Sequence, residues 1–228
     1  MTSNTYSVLI IDDHPLIVEA YKTAFNFVSE KNKNILFNIN VANNCDSAIE
    51  LIDKNYVLKE KKLDIVFLDI RLPPSKDGKI LSGEDLGIKI NSLLPNVKII
   101  ISTTLNDNYR VHSIFKSINP DGFLIKNDIT PKELIDAIDT VITDPPYYSK
   151  TVTKLLRKQI SSDFILDEID RKILYELSIG TKMKELPNLV PLSLAGIERR
   201  KKMLKQVFNI KSSNDSEMIM AAREKGFI

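Results

Sequence analysis

Four short apolar runs constrain this chain more than any other feature: VLII (8–11), DIVFLDI (64–70), NVKIII (96–101) and GFLI (122–125). They are rich in β-branched residues and lack polar alternation, the pattern of strands buried on both faces of a parallel sheet. Parallel neighbours require crossover connections, and helical patterns fill the gaps: Pro15 to about Ser29, Asp46 to Asn55, Gly83 to Leu94, Asp107 to Ser117 and Pro131 to Ile142. Thr130 before Pro131 is a good helix start, with a hydroxyl cap and proline in the first turn. ILFNINV (35–41) supplies a fifth strand. Five strands alternating with five helices predict an α/β fold, a doubly wound, flavodoxin-like, five-stranded parallel sheet.

Ligands of such sheets bind outside the carboxyl ends of the strands, and there the apolar runs turn polar. The first of the four ends in Asp12 and Asp13, the second in Asp69, the third in Ser102, Thr103 and Thr104, and the last in Lys126. Adjacent carboxylates need a cation, and oxygen ligands from Asp12, Asp13 and Asp69 suit Mg2+. Asp69 could then act as a nucleophile toward phosphorus. A threonine hydroxyl such as that of Thr103 would donate to one phosphoryl oxygen, and Lys126 would place a compact charge on another. His14, beside Asp13 but followed by Pro15, is read as opening the first helix, and His112 as a solvated residue on a surface helix.

In kind and order, these residues resemble the receiver domain of two-component response regulators over roughly 5–143. The resemblance implies that Asp69 takes phosphate from a phosphohistidine on a sensor histidine kinase or phosphotransfer protein. It implies a Mg2+ site of Asp12, Asp13, Asp69 and the backbone carbonyl of Arg71, and an aromatic switch at Phe123 that follows Thr103. Thr103 is favoured because the residues after it fall like the family's following loop; Ser102 and Thr104 stay open. The stretch 73–87 is longer than the usual loop, and Asn127 follows Lys126 where many receivers carry proline.

The chain of 228 residues exceeds a usual single domain, and 43% hydrophobic residues can bury a core. No apolar run reaches the roughly 20 residues needed to cross a bilayer, and MTSNTYS has none of the parts of a signal peptide, so a cytoplasmic protein without a membrane partner is expected. The single cysteine, Cys45, excludes an internal disulfide and a cysteine-based zinc site. TDPPYYSK (143–150) breaks the pattern with two prolines. The expected organisation is a receiver over 1–144, a linker over 145–163 with a short helix near Val152 to Gln159, and an output domain over 164–228. Charge divides in the same region. Residues 150–228 hold 16 Lys and Arg against 10 Asp and Glu, whereas 1–149 hold 16 against 20. A basic module suggests a polyanionic partner.

Within that module, LDEIDRKILYEL (166–177) is an amphipathic helix with Leu166, Ile169, Ile173, Leu174 and Leu177 on one stripe. A short element at 182–190 precedes SLAGIERRKKMLKQVF (193–208), where Leu194, Ile197, Leu204 and Val207 can face inward under a coat of cations. An apolar seam with a basic outer face is what a recognition helix needs. Ser213 is read as the cap of a last helix, Asp215 to Lys225, with Met218, Ile219 and Ala222 inward. This half resembles the helix-turn-helix of LuxR/FixJ-type regulators, although Pro187 should shorten or distort the second helix. The resemblance places Glu198, Arg199, Arg200 and Lys201 nearest DNA, with Ser193, Lys202 and Lys205 beside them. The whole then reads as a non-enzymatic, phosphorylation-controlled transcription regulator that binds double-stranded DNA and forms a homodimer on activation. The alternative is an adaptor whose output half binds protein. A Mg-dependent phosphatase would need a general acid near Asp69, yet the residue two positions on is Arg71.

Overall fold

The computed structural model describes residues 4–59, 61–105, 107–157, 166–212, 214–225 and 227–228. The chain forms two compact units, 1–158 and 159–228.

The first unit is a parallel sheet in the order β2-β1-β3-β4-β5-β6. Its strands are β1 (Asn4–Ile11), β2 (Ile35–Ala42), β3 (Ile65–Leu68), β4 (Lys98–Thr103), β5 (Gly122–Ile125) and β6 (Tyr147–Tyr148). The helices are α1 (Pro15–Lys31), α2 (Cys45–Ile52), α3 (Gly83–Leu93), α4 (Asn108–Ile118), α5 (Pro131–Thr143) and α6 (Lys150–Leu156). One face of the sheet, carrying Leu9, Ile11, Val66, Leu68, Ile99, Ile101, Phe123 and Ile125, packs against α2, α3, α4 and α6. The other, carrying Val8, Ile10, Ile65, Phe67, Ile100 and Leu124, packs against α1 and α5. Apolar side chains on both faces explain the unalternated runs. Thr130 caps α5 by accepting from the Glu133 amide at 3.2 Å.

The strand count is six rather than five. β6 is two residues long and follows Pro145 and Pro146, so no periodicity announces it; it pairs Tyr147 with Gly122 and Tyr148 with Phe123. α6 is seated by Asp128, whose carboxylate accepts from Ser149 Oγ (2.7 Å), Thr151 N (2.9 Å) and Thr151 Oγ1 (2.7 Å). Val152 and Leu155 of α6 join the core. The long stretch before α3 is also folded in. Ser75 closes a turn with Ile80 (N to O, 2.8 Å) and donates to Asp77 at 2.7 Å, and Ile80 and Leu81 are buried.

The second unit holds α7 (Glu168–Ser178), α8 (Leu194–Val207) and α9 (Asp215–Glu224). Asp167 and Asp170 form a capping box at the start of α7, and Gly180, at φ +93°, lets the chain turn away beyond its end. The expected second helix is a single 3-10 turn, Leu186–Asn188, containing Pro187. Ile173, Leu186, Val190 and Ile197 make a core with Ile169 and Leu177 packed against it, and Leu204, Met218 and Ala222 are also buried. Leu194, read as inward, is 39% exposed because it is the first residue of its helix. Asn214 caps α9; Ser213 and residues 158–163 of the expected linker lie outside the described residues. Among the described residues no helix is long and apolar enough to cross a membrane.

Candidate functional site

One row of the sheet runs Ile11, Leu68, Ile101, Phe123. One step beyond it, at the carboxyl edge, stand Asp12 and Asp69, both buried. Asp69 N donates to Ile11 O at 2.9 Å, so β1 fixes the backbone that presents its carboxylate. Gly83, first residue of α3, lies over that backbone: a Cβ there would sit 1.9 Å from Asp69 O. Glycine is required by this close approach.

The carboxylates meet one lysine. Lys126 Nζ lies 2.7 Å from Asp69 Oδ2 and 2.8 Å from Asp12 Oδ2. The other oxygen of Asp69 accepts from the Arg71 amide at 2.9 Å. Asp12 Oδ2 is buried without a hydrogen bond, so its contact with Lys126 is purely ionic. Asp13 is more open, and His14 Nδ1 sits 2.7 Å from its Oδ1 and 3.3 Å from Asp12 Oδ1. Potential ligand atoms of Asp12, Asp13, His14 and Asp69 all lie within 4.8 Å of one another. His14 was given no chemistry in the sequence. The signal was there, because a helix-opening residue directly after two acids must lie beside them.

β4 separates the candidate hydroxyls by alternation. Ser102 faces α1 and accepts from Tyr21 OH at 2.7 Å. Burial, and then the nearby charges of Asp12 and Asp69, raise the Tyr21 phenol above its ordinary range, so it stays a neutral donor. Thr103 is buried on the other side, its Oγ1 accepting from the Leu105 amide at 3.3 Å, and Thr104 is exposed. Phe123 is fully buried and stacks on Phe115 with ring centroids 5.4 Å apart. Phe115 in turn meets Tyr148 edge-on at 4.9 Å.

One further feature was not legible. Glu84 and Arg110, both fully buried, form an ion pair at 2.5 Å between α3 and α4, with Ser117 Oγ donating to Glu84 at 2.7 Å. Cys45 is buried and donates to Pro73 O, and burial pushes its thiol up to about 12. His112, expected to be solvated, is half-buried with its Nε2 enclosed.

In the second unit, Ser193 caps α8 by accepting from the Gly196 amide at 3.3 Å. The cations of α8 divide. Arg200 pairs with Asp167 at 2.6 Å and Asp170 at 3.0 Å, while Lys201 and Lys205 both pair with Asp215 at 2.8 Å. Glu198, Arg199 and Lys202 are exposed. Burial alone would raise Asp215, but the two lysines outweigh it and hold the carboxyl below its ordinary value.

Solved structures with this fold include RcsB from Salmonella typhimurium, described for conformational dynamism in DNA interaction. It is 19% identical over 99% of both chains, with a TM-score of 0.63. RcsB from Salmonella enterica serovar Typhimurium, bound to the rprA promoter with the phosphomimetic BeF3-, is 20% identical over 96% of this chain and 98% of that one, at TM-score 0.64. An RcsB-DNA complex is 18% identical over the same shares, at 0.62. At these identities the likeness is one of fold. No curated protein sequence matches the chain. The profile of the response regulator receiver domain matches residues 8–139, more than half of the chain, and its buried acids and lysine at the carboxyl edge of a parallel sheet are in keeping with that match. The chain belongs to the response regulator receiver domain family.

Proposed function

We propose that this protein is a transcription regulator switched by phosphorylation of Asp69. The observation that carries the reading is the Asp12–Asp69–Lys126 cluster, in which one buried aspartate is held at both oxygens by different donors. Arg71 N fixes Oδ1 and Lys126 binds Oδ2. Asp69 attacks the phosphorus of a phosphohistidine presented by a kinase or phosphotransfer protein; an oxygen–phosphorus bond forms as the donor's phosphorus–nitrogen bond breaks.

Three carboxylates outnumber the one lysine, and Asp12 Oδ2 is buried without a hydrogen bond, so a hard divalent cation fits this donor set. Asp12, Asp13, Asp69 and the Arg71 backbone carbonyl would hold Mg2+, which would neutralise charge between the carboxylates and the incoming phosphoryl group. Lys126 then exchanges its contact with Asp69 for a phosphoryl oxygen, and Thr103, on the same sheet face as Phe123, donates to another. Differential contacts of this kind shift a two-state equilibrium. The packing of Phe123 on Phe115 of α4 supplies an element that such contacts could bias.

For the output, the free cations of α8 and the fold shared with DNA-bound RcsB support a DNA-binding second unit acting as a homodimer. The test of the phosphoacceptor is labelling by a small phosphodonor with Mg2+, followed by borohydride reduction and mass spectrometry. Label at Asp69 that vanishes in Asp69→Asn is the expected result; full labelling of that variant would refute the assignment.

A further inference from the structure

The coat of cations on α8 is not uniform, and its division sorts roles. A helix turns about 100° per residue. On that wheel Ala195, Glu198, Arg199, Lys202, Met203 and Gln206 share an arc of about 140°, and all six are exposed. Ile197 and Leu204 lie opposite and are buried. Between the two faces, one flank carries Arg200, tied to the start of α7 through Asp167 and Asp170. The other carries Lys201 and Lys205, tied to Asp215 at the start of α9. Each flank thus fastens α8 to a different neighbour. Among the described residues, Arg199 and Lys202 are the α8 cations without an acidic partner in the chain.

A cation already satisfied by a carboxylate has little charge left for a phosphate. Its side chain is also held against its own unit instead of reaching outward. Resting on the DNA-binding reading above, we infer that α8 meets duplex DNA with Ala195, Glu198 and Arg199 at base edges and Lys202 at a phosphate, and that Arg200, Lys201 and Lys205 are positioning residues that set its angle and touch no phosphate. The chemistry of the outer face is that of base readout. Arginine donates to guanine O6 and N7, glutamate accepts from cytosine N4, and alanine meets the thymine methyl. An acidic residue on this face, Glu198, would repel phosphates but suits base edges. The four also lie in the N-terminal two-thirds of the helix, the end that enters the major groove in helix-turn-helix proteins.

The experiment measures affinity of the full chain, loaded with Mg2+ and BeF3-, for a mixed-sequence duplex between about 50 and 200 mM salt, where each neutralised phosphate adds close to one unit of slope. Lys202→Met, on the exposed face, should flatten the slope by about one; Lys201→Met and Lys205→Met should leave it at the wild-type value while lowering Tm. In selection from a random duplex pool, Arg199→Ala should relax the preferred motif, with about a 5- to 150-fold loss at the affected base pair. If Lys201→Met or Lys205→Met flattens the slope as Lys202→Met does, the division of roles is overturned while DNA binding stands. If the wild-type protein binds duplex DNA without salt dependence, or not at all, the DNA-binding reading falls and the inference with it.

Discussion

Replacing Gly83 by alanine should damage stability and phosphorylation together, because α3 begins against the backbone that carries Asp69. An ideal Cβ at residue 83 falls 1.9 Å from Asp69 O and 2.8 Å from Ile70 Cα. Real Cβ contacts stay beyond 3.0 Å, so the two segments must separate by about 1 Å or more. The obstructing atoms are backbone and cannot rotate away. Asp69 N is held by Ile11 O at 2.9 Å, and Gly83 N by Ile70 O at 3.0 Å. Overpacking typically costs 1–3 kcal/mol, and with no side chain to give way the loss should reach about 3 kcal/mol, the top of that range. A shift of 1 Å at the proposed nucleophile should also slow phosphoryl transfer by about a hundredfold. Equilibrium urea unfolding and the rate of labelling by a small phosphodonor read the two effects. Gly196→Ala is the control: its Cβ would meet nothing nearer than Ser193 Oγ at 3.5 Å, so it should stabilise by about 0.5–1 kcal/mol. If Gly83→Ala unfolds within about 0.5 kcal/mol of wild type and is labelled at the same rate, the close approach does not position Asp69.

Other expectations follow from buried charge. Arg110→Met leaves the Glu84 carboxylate buried without its cation and should cost about 3–5 kcal/mol, whereas Glu84→Leu combined with Arg110→Met should recover most of the loss; urea unfolding of the single and double variants compares them, and equal losses would refute the pairing. Asp128→Ala removes three hydrogen bonds to Ser149 and Thr151 and should raise amide exchange throughout α6 while α5 stays protected. Acid should loosen the second unit through Asp215. Its depressed pKa means that its contribution is fully present above the unfolded value, about 3.9, and is lost as pH falls through the lower folded value. Asp167, where hydrogen bonds from the Asp170 amide and Arg200 outweigh burial, acts in the same direction. Asp170, raised chiefly by burial, acts in the opposite one. Asp215→Asn should therefore show a shallower fall in Tm between about pH 4 and pH 2; an unchanged acid limb would contradict the ion-pair account.

What the sequence reveals here depends on whether its signals are local. A buried parallel strand announces itself in five consecutive residues, and the polar residue that ends it must lie at the sheet edge. That is why Asp12, Asp69 and Lys126 could be brought together without coordinates. Alternation along β4 could also have separated Ser102 from Thr103, since they must point to opposite faces, but which face held the site depended on helix placement. Partners distant in sequence were invisible. Glu84 in a first helical turn looks like a solvated acid until Arg110 is packed over it. Arg200 reads as a free cation until Asp167, 33 residues earlier, folds against it. β6 was hidden because two tyrosines after two prolines carry no period, whereas α6 was legible as the short helix near Val152 to Gln159 but not as part of the core.

The central claim is that a phosphoryl group on Asp69 controls DNA recognition. Its most direct test selects duplexes from a random pool with the full-length protein, with and without BeF3- and Mg2+, and sequences what is bound. The account predicts a two-fold motif enriched only in the presence of the mimic, and lost in Asp69→Asn under the same conditions. The same enrichment with and without the mimic would contradict control through Asp69, and no enrichment in either state would assign the second unit to a protein partner.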